Sequence, residues 1–302
     1  MSIELTGSVT ERRNVSTVDI DRLSTEDMLA TINKEDKHIA DAVASCLPAI
    51  TRLVDNAAAT LSRGGRVVLA GAGISGRAAV LAASEYAPGN HHQVLGLIAG
   101  GPQAMLETLE AAEKDYDLGV QNLSEVDFTA NDMLIGLSVS GKTPWTWGAL
   151  RHAWSLGARV AVITPDSESE AAQLADIVVA VPAGAEVIAG YGNPKAHLAQ
   201  KMVLNMLMTG LAIRSGRVYS NLRVDVEGDS MRWQERQIAI VMEAGGCQRT
   251  EAKNALESCH YHCKTAILMV LTGQNAWEAN ALLAGHNGFV RLALRDAPVM
   301  TN

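Results

Sequence analysis

Residues 67–89, VVLAGAGISGRAAVLAASEYAPG, decide the fold. An apolar run, Val67 to Ala70, ends in Gly-Ala-Gly-Ile-Ser-Gly at 71–76, and a helix-period stretch follows. A buried strand, a glycine turn and a helix in that order form the opening unit of a parallel α/β sheet. The letters also match G-x-G-x-x-G, the dinucleotide fingerprint. That fingerprint needs an acidic residue at the end of the second strand to hold a ribose. The second strand, QVLGLIAGG at 93–101, contains neither Asp nor Glu. With Ser75 beside small residues at a helix N-terminus, the loop reads instead as a cradle for one phosphate.

Strand and helix then alternate down the chain. PQAMLETLEAAEKDYDLGVQNL (102–123) reads as one helix, DMLIGLSVSG (132–141) as a strand and KTPWTWGALRHAWSLG (142–157) as a helix. ARVAVITPD (158–166), SESEAAQLA (167–175) and DIVVAVPAG (176–184) continue as strand, short helix, strand. Five strands with helices between them predict a three-layer α/β/α domain on a five-stranded parallel sheet, because parallel neighbours require crossovers. Upstream, 21–65 is helical in period, with Ser24 as N-cap and Pro48 dividing or kinking two helices. Downstream, 195–216 is one long apolar helix, followed by at least three helices at 233–246, 250–273 and 275–294. The expected organisation is an N-terminal helical arm at 1–46, a sheet domain at 47–226 and a small C-terminal helical domain at 227–302. EGDS (227–230) is the linker, and the tail after Asp296 frays.

The third strand ends in LSVSGKTP, which supplies Ser138, Ser140, Lys142 and Thr143. Two hydroxyl-rich strand ends in one parallel sheet would converge on a single anion, although Ser140 and Thr143 also suit plain helix capping. The net charge of −8 argues against nucleic acid as a partner, since phosphates are neutralised by clustered Lys and Arg. No apolar run approaches a membrane span, and the N-terminus lacks an apolar leader, so a cytoplasmic location is expected. Metal binding by the CHYHC segment, Cys259 to Cys263, is weighed and set aside. On one continuous helix Cys259 and Cys263 would share a buried face while His260 and His262 point elsewhere.

The blocks GAGISGR, ASE, LIAGG, EAAEKD, SGKTP, AEVIAG and AQKMVLNMLMTG resemble the N-acetylmuramic acid 6-phosphate etherases of the sugar isomerase (SIS) superfamily. TERRNVSTVDIDRLST, NLRVDV and CKTAILMVLTG fit as well, so the resemblance runs from about Thr10 to the last helix. It implies a carbon–oxygen lyase that removes D-lactate without cofactor or metal, acting on a small phosphosugar. It also implies two catalytic carboxyl groups, Glu85 and Glu113, with Glu113 as base at C2 and Glu85 as acid for the leaving oxygen. By residue type alone, Glu113 beside Glu110, Lys114 and Asp115 reads as an exposed helix charge, and Glu85 as a less hydrated carboxyl. Gly73, Ser75, Gly76, Ser138, Ser140, Lys142, Thr143 and Lys195 are the implied phosphosugar-binding residues. At ~1.5 Å per helical residue, Glu85 lies roughly 13 Å along from the cradle. It would therefore serve a substrate held near a subunit interface, in a homodimer.

The match departs from the family at defined places. Ile74 stands where the family has Thr, and around VIAGYGNPKAHLAQK (187–201) most of the family's hydroxyls and its Arg are gone. Ala189, Tyr191, Gly192, Asn193, His197 and Leu198 take their places, while Lys195 is kept. Two other readings stay open on this basis, a non-catalytic phosphosugar-binding regulator and a phosphosugar isomerase. The glucokinase-regulator type characteristically carries two such domains, more than this length holds.

Overall fold

The computed structural model describes residues 12–86, 93–226, 228 and 230–297. The chain divides into two compact units, Met1–Leu211 and Ala212–Asn302.

The first unit is built around β1 (Val67–Gly71), every residue of which is buried. β1 lies between β2 (Val94–Ile98) and β3 (Met133–Leu137); β4 (Arg159–Thr164) and β5 (Ile177–Ala180) complete a parallel sheet of order β2-β1-β3-β4-β5. Its helices are α1 (Thr25–Ser45), α2 (Leu47–Ser62), α3 (Gly73–Tyr86), α4 (Glu110–Glu113), α5 (Tyr116–Glu125), α6 (Pro144–Ser155), α7 (Glu170–Gln173) and α8 (Pro194–Arg214). Ser24 caps α1 by accepting from the Asp27 amide, and Cys46 is the one residue between α1 and α2, whose second residue is Pro48.

Strand alternation divides the sheet's side chains between two faces. Val68, Ala70, Leu134, Val160 and Val162 pack with Trp145, Ala149 and Leu150 of α6 and Leu123 of α5. From β1 the chain moves outward to β2, then crosses back over β1 to β3. Right-handed crossovers place α3 on the face opposite α5 and α6 when that direction reverses. The reversal makes the crevice between β1 and β3 a topological switch point, the place where ligands collect in open α/β sheets. Gly71 pairs with Leu137, so the two strands end level and their loops emerge side by side.

One carboxylate holds the opposite ends of these strands. Asp132, 4% exposed, accepts from the Arg66 amide at 2.7 Å, from its guanidinium at 2.9 and 3.2 Å, and from the Thr129 amide at 2.9 Å. Burial pushes its pKa up, but the Arg66 guanidinium and the two amides outweigh this and hold it below the ordinary 3.8. A depressed carboxylate stabilises the fold above its unfolded-state pKa, and the gain is lost as pH falls through the lower folded-state value. Asp132→Asn is therefore expected to cost about 3 kcal/mol at neutral pH in urea unfolding, with the gap to the parent closing below about pH 4. A gap that stays constant into acid would overturn this account.

The second unit pairs a small antiparallel hairpin, β6 (Val218–Tyr219) and β7 (Leu222–Arg223), with α9 (Met231–Gly245), α10 (Arg249–Ser258), α11 (Cys263–Thr272), α12 (Ala276–Gly285) and α13 (Val290–Arg295). The hairpin was not expected from the sequence. Ile238, Val241, Leu256, Ile267, Leu268 and Leu283 form its core. The stretch 250–273 is two helices rather than one. His260 and Tyr261 take left-handed φ values of 52° and 59°, and the turn is fixed from outside by Gln237, whose buried carboxamide donates to the Tyr261 carbonyl at 2.8 Å. Cys259 and Cys263 consequently share no helix face, although both are buried, and burial pushes the Cys263 thiol up to about 12. The 275–294 stretch is likewise broken, at Asn287 and Gly288, both at positive φ. The linker reading at 227–230 and the frayed tail lie partly outside the described residues, at 227, 229 and from 298 onward. Among the described residues no helix is long and apolar enough to cross a membrane, and no group of three or more His, Cys, Asp or Glu is placed to hold a metal ion.

Candidate functional site

Three loops meet at the carboxyl ends of β1, β2 and β3. The first is the turn into α3. Gly76 packs so closely under the strand that a methyl group there would lie 2.6 Å from the Gly71 carbonyl oxygen and from Ile98. Gly73 opens α3 at φ 53°, and the amides of the first turn have no carbonyl one turn back to bond. Unbonded amides at a helix N-terminus favour anions. Ser75, 4% exposed, does not add its proton to that site, because its hydroxyl donates to Oε1 of Gln200 on α8 at 2.9 Å.

The second loop follows β3 and is the hydroxyl cluster. Thr143 Oγ1 lies 3.2 Å from Ser138 Oγ and 3.4 Å from Ser140 Oγ. The Gly141 amide donates to Ser138 Oγ and the Lys142 amide to Ser140 Oγ. Thr143 occupies the N-cap position of α6 without making a side-chain cap bond, so its hydroxyl is not consumed by the helix. Ser140 and the Lys142 side chain are exposed at the rim.

The third loop carries Glu113. The helix expected across 102–123 is instead a 3₁₀ turn at Gly101–Met105, the single turn of α4 and then α5. Asp115 restarts the chain as N-cap of α5, accepting from the Leu118 amide at 2.9 Å. The break frees Glu113 from a continuous surface helix and turns it inward. A methyl group on Gly73 would lie 3.2 Å from Glu113 Oε1, which places the half-buried carboxylate directly over the Gly73 turn. Arg77, one turn into α3, holds this loop: its guanidinium donates to the carbonyls of Ala104 and Glu107, each at 3.0 Å. The exposed-charge reading of Glu113 is therefore replaced.

Two other expectations change. Glu85, at the far end of α3, is exposed in the single chain rather than poorly hydrated, and Lys201 Nζ of α8 donates to its Oε2 at 2.6 Å. Lys195 is not brought to the cradle. Its ammonium is buried between Glu35 of α1, at 2.8 Å, and the Ala185 carbonyl, at 2.9 Å. Glu35 is pushed up by burial, but the Lys195 ion pair and the Asn14 carboxamide leave its pKa below the ordinary value. The sequence reading missed Arg77, Gln200 and Lys201. The letters AQKM carry no signal of what Gln200 or Lys201 reaches, since both partners lie on α3, distant in sequence.

Comparison with known proteins follows the same outline. The SIS domain model matches residues 119–210, and that of the glucokinase regulatory protein N-terminal SIS domain matches residues 49–154. The chain is 48% identical to an N-acetylmuramic acid 6-phosphate etherase of Klebsiella aerogenes, over 98% of this chain and 100% of that one. It is also 48% identical to an etherase of the same name from Aeromonas hydrophila, over 96% of this chain and 98% of that one. Among solved structures, a phosphoheptose isomerase from Francisella tularensis aligns at TM-score 0.51 and 18% identity, covering 63% of this chain and 100% of its own. A phosphoheptose isomerase from Neisseria gonorrhoeae aligns at TM-score 0.51 and 15% identity, covering 62% and 99%. At that identity the two structures establish a shared SIS fold and nothing further.

Proposed function

Since the chain belongs to the N-acetylmuramic acid 6-phosphate etherase family, we propose that it cleaves the D-lactyl ether of N-acetylmuramic acid 6-phosphate. The products are N-acetylglucosamine 6-phosphate and D-lactate. One observation carries the reading at the level of the site: a carboxylate, Glu113, stands over the Gly73 turn, beside a second loop that clusters three hydroxyls. The phosphate sits on the first-turn amides of α3, with Ser138, Ser140 and Thr143 as hydroxyl partners and Lys142 as the rim cation.

Ring opening exposes the C1 aldehyde and acidifies the C2 proton. Glu113 removes that proton, the C3–O bond breaks as C2=C3 forms, and Glu85 gives a proton to the departing lactyl oxygen. Water then adds across the double bond, its hydroxyl to C3 and a proton to C2, so the net change is hydrolysis of the ether. A second copy of the chain covers apolar residues left exposed on α3 and α8, among them Leu81, Leu198 and Met206, and brings Glu85 to the substrate. A phosphosugar substrate suits a cytoplasmic enzyme.

The reaction is tested by incubating the protein with N-acetylmuramic acid 6-phosphate in deuterated water. Lactate release with one deuterium at C2 is the expected result. Label without lactate would reassign the protein to isomerase-type chemistry. Neither signal, with phosphosugar bound tightly, would make it a regulator and overturn the proposal.

A further inference from the structure

The N-terminus of α8 faces the same end of the sheet, yet it is closed to anions from within the protein. Glu186, fully buried, accepts from the Lys195 and Ala196 amides at 3.0 Å each, filling the place an external anion would take. Lys195 is spent on Glu35. What the first turn of α8 still offers is His197, half-buried, with Leu198 exposed beside it.

The bonding around His197 fixes its tautomer. Its Nδ1 lies 3.3 Å from Gln200 Oε1, the oxygen that already accepts from Ser75 at 2.9 Å. The same carboxamide directs Nε2 to the Ile163 carbonyl at 3.5 Å, which sets the amide's orientation. A carbonyl oxygen cannot donate, so the proton of the His197–Gln200 contact belongs to Nδ1. Burial lowers the imidazole pKa below its ordinary value, more than the Gln200 bond raises it, which leaves the ring neutral at pH 7. Nε2 then carries a lone pair, and among the described residues no group donates to it.

We propose that His197 determines specificity for the sugar: with Nδ1–H fixed on the carboxamide that also holds cradle residue Ser75, Nε2 accepts a hydrogen bond from a hydroxyl or the acetamido N–H of the bound phosphosugar. The imidazole stands two hydrogen bonds from the Ser75 hydroxyl on the first turn of α3, which puts the ring near that turn. This inference rests on the phosphosugar reading above and adds to it a contact that selects donors rather than anions.

Two amide variants separate the ring nitrogens. In His197→Asn the carboxamide stands in for Nδ1 and keeps the Gln200 bond, but nothing replaces Nε2. In His197→Gln the longer side chain returns an acceptor near the Nε2 position. For His197→Asn the expected result is a rise of about tenfold in KM for N-acetylmuramic acid 6-phosphate and in Kd for N-acetylglucosamine 6-phosphate by calorimetry. In the same variant kcat should change less than about threefold, and the inhibition constant for inorganic phosphate less than about twofold, since the cradle itself is untouched. His197→Gln should recover part of the loss. Unchanged KM and Kd in His197→Asn would overturn the proposal, as would an equal loss of phosphate affinity, which would mark a packing role. If the parent protein binds product but releases no lactate, the reaction assignment fails, and the fall in product affinity still supports His197.

Discussion

Glu113→Gln is expected to lower lactate release by about 10³-fold and to remove deuterium incorporation at C2, with phosphate affinity unchanged. The substitution keeps the shape of the side chain and its place over Gly73, so the α3 turn and the loop held by Arg77 stay as they are. What is lost is a carboxylate able to take a proton from carbon. Ser75 donates its only hydroxyl proton to Gln200, and the β3–α6 hydroxyls are not bases at neutral pH. A loss of phosphate affinity equal to the loss of rate would show that Glu113 maintains the loop rather than acting on substrate. Retained C2 exchange would remove it as the base.

Why Glu113 and not Glu110, three residues earlier in the same short helix, could not be decided from the letters EAAEKD alone. Both are acidic residues in a charged stretch, and only the family resemblance singled one out. Glu113 is set over Gly73 by contacts that periodicity does not encode: Arg77 reaching back to carbonyls 104 and 107, and Asp115 restarting the helix. The strand, glycine turn and helix of 67–86 were legible because each is specified locally, by continuous apolar residues, by a left-handed glycine and by helical spacing. The clustering of Ser138, Ser140 and Thr143 follows from their closeness in one loop after β3, whereas Ser75, expected to join them, turns its hydroxyl to Gln200. Lys195 was misread because its partner, Glu35, lies 160 residues away in sequence, and burial of the pair is a property of packing. The CHYHC turn was misread on the same ground, its left-handed residues being held by Gln237 from another helix.

Glu85→Gln should separate the two halves of the reaction. If Glu85 supplies the proton to the departing lactyl oxygen, the variant still removes the C2 proton through Glu113 and still exchanges it with solvent, but C3–O cleavage slows by about 10²- to 10³-fold. The ratio of deuterium exchange to lactate release then rises by the same factor, a quantity that neither misfolding nor weak binding would raise. The ammonium of Lys201 stands 2.6 Å from Glu85 Oε2, so the two groups form one unit at the end of α3. Lys201→Met is accordingly expected to move the same ratio in the same direction by a smaller factor, about tenfold. Glu85 is 47% exposed in the isolated chain, and under the proposed homodimer its effect on catalysis should depend on dimer formation. Dilution below the dimer's dissociation point should lower lactate release in the parent and have little further effect on Glu85→Gln. If Glu85→Gln instead abolishes exchange while Glu113→Gln preserves it, the two glutamates have exchanged roles. The carboxylate over the α3 turn would then be the acid, and the one beside Lys201 the base.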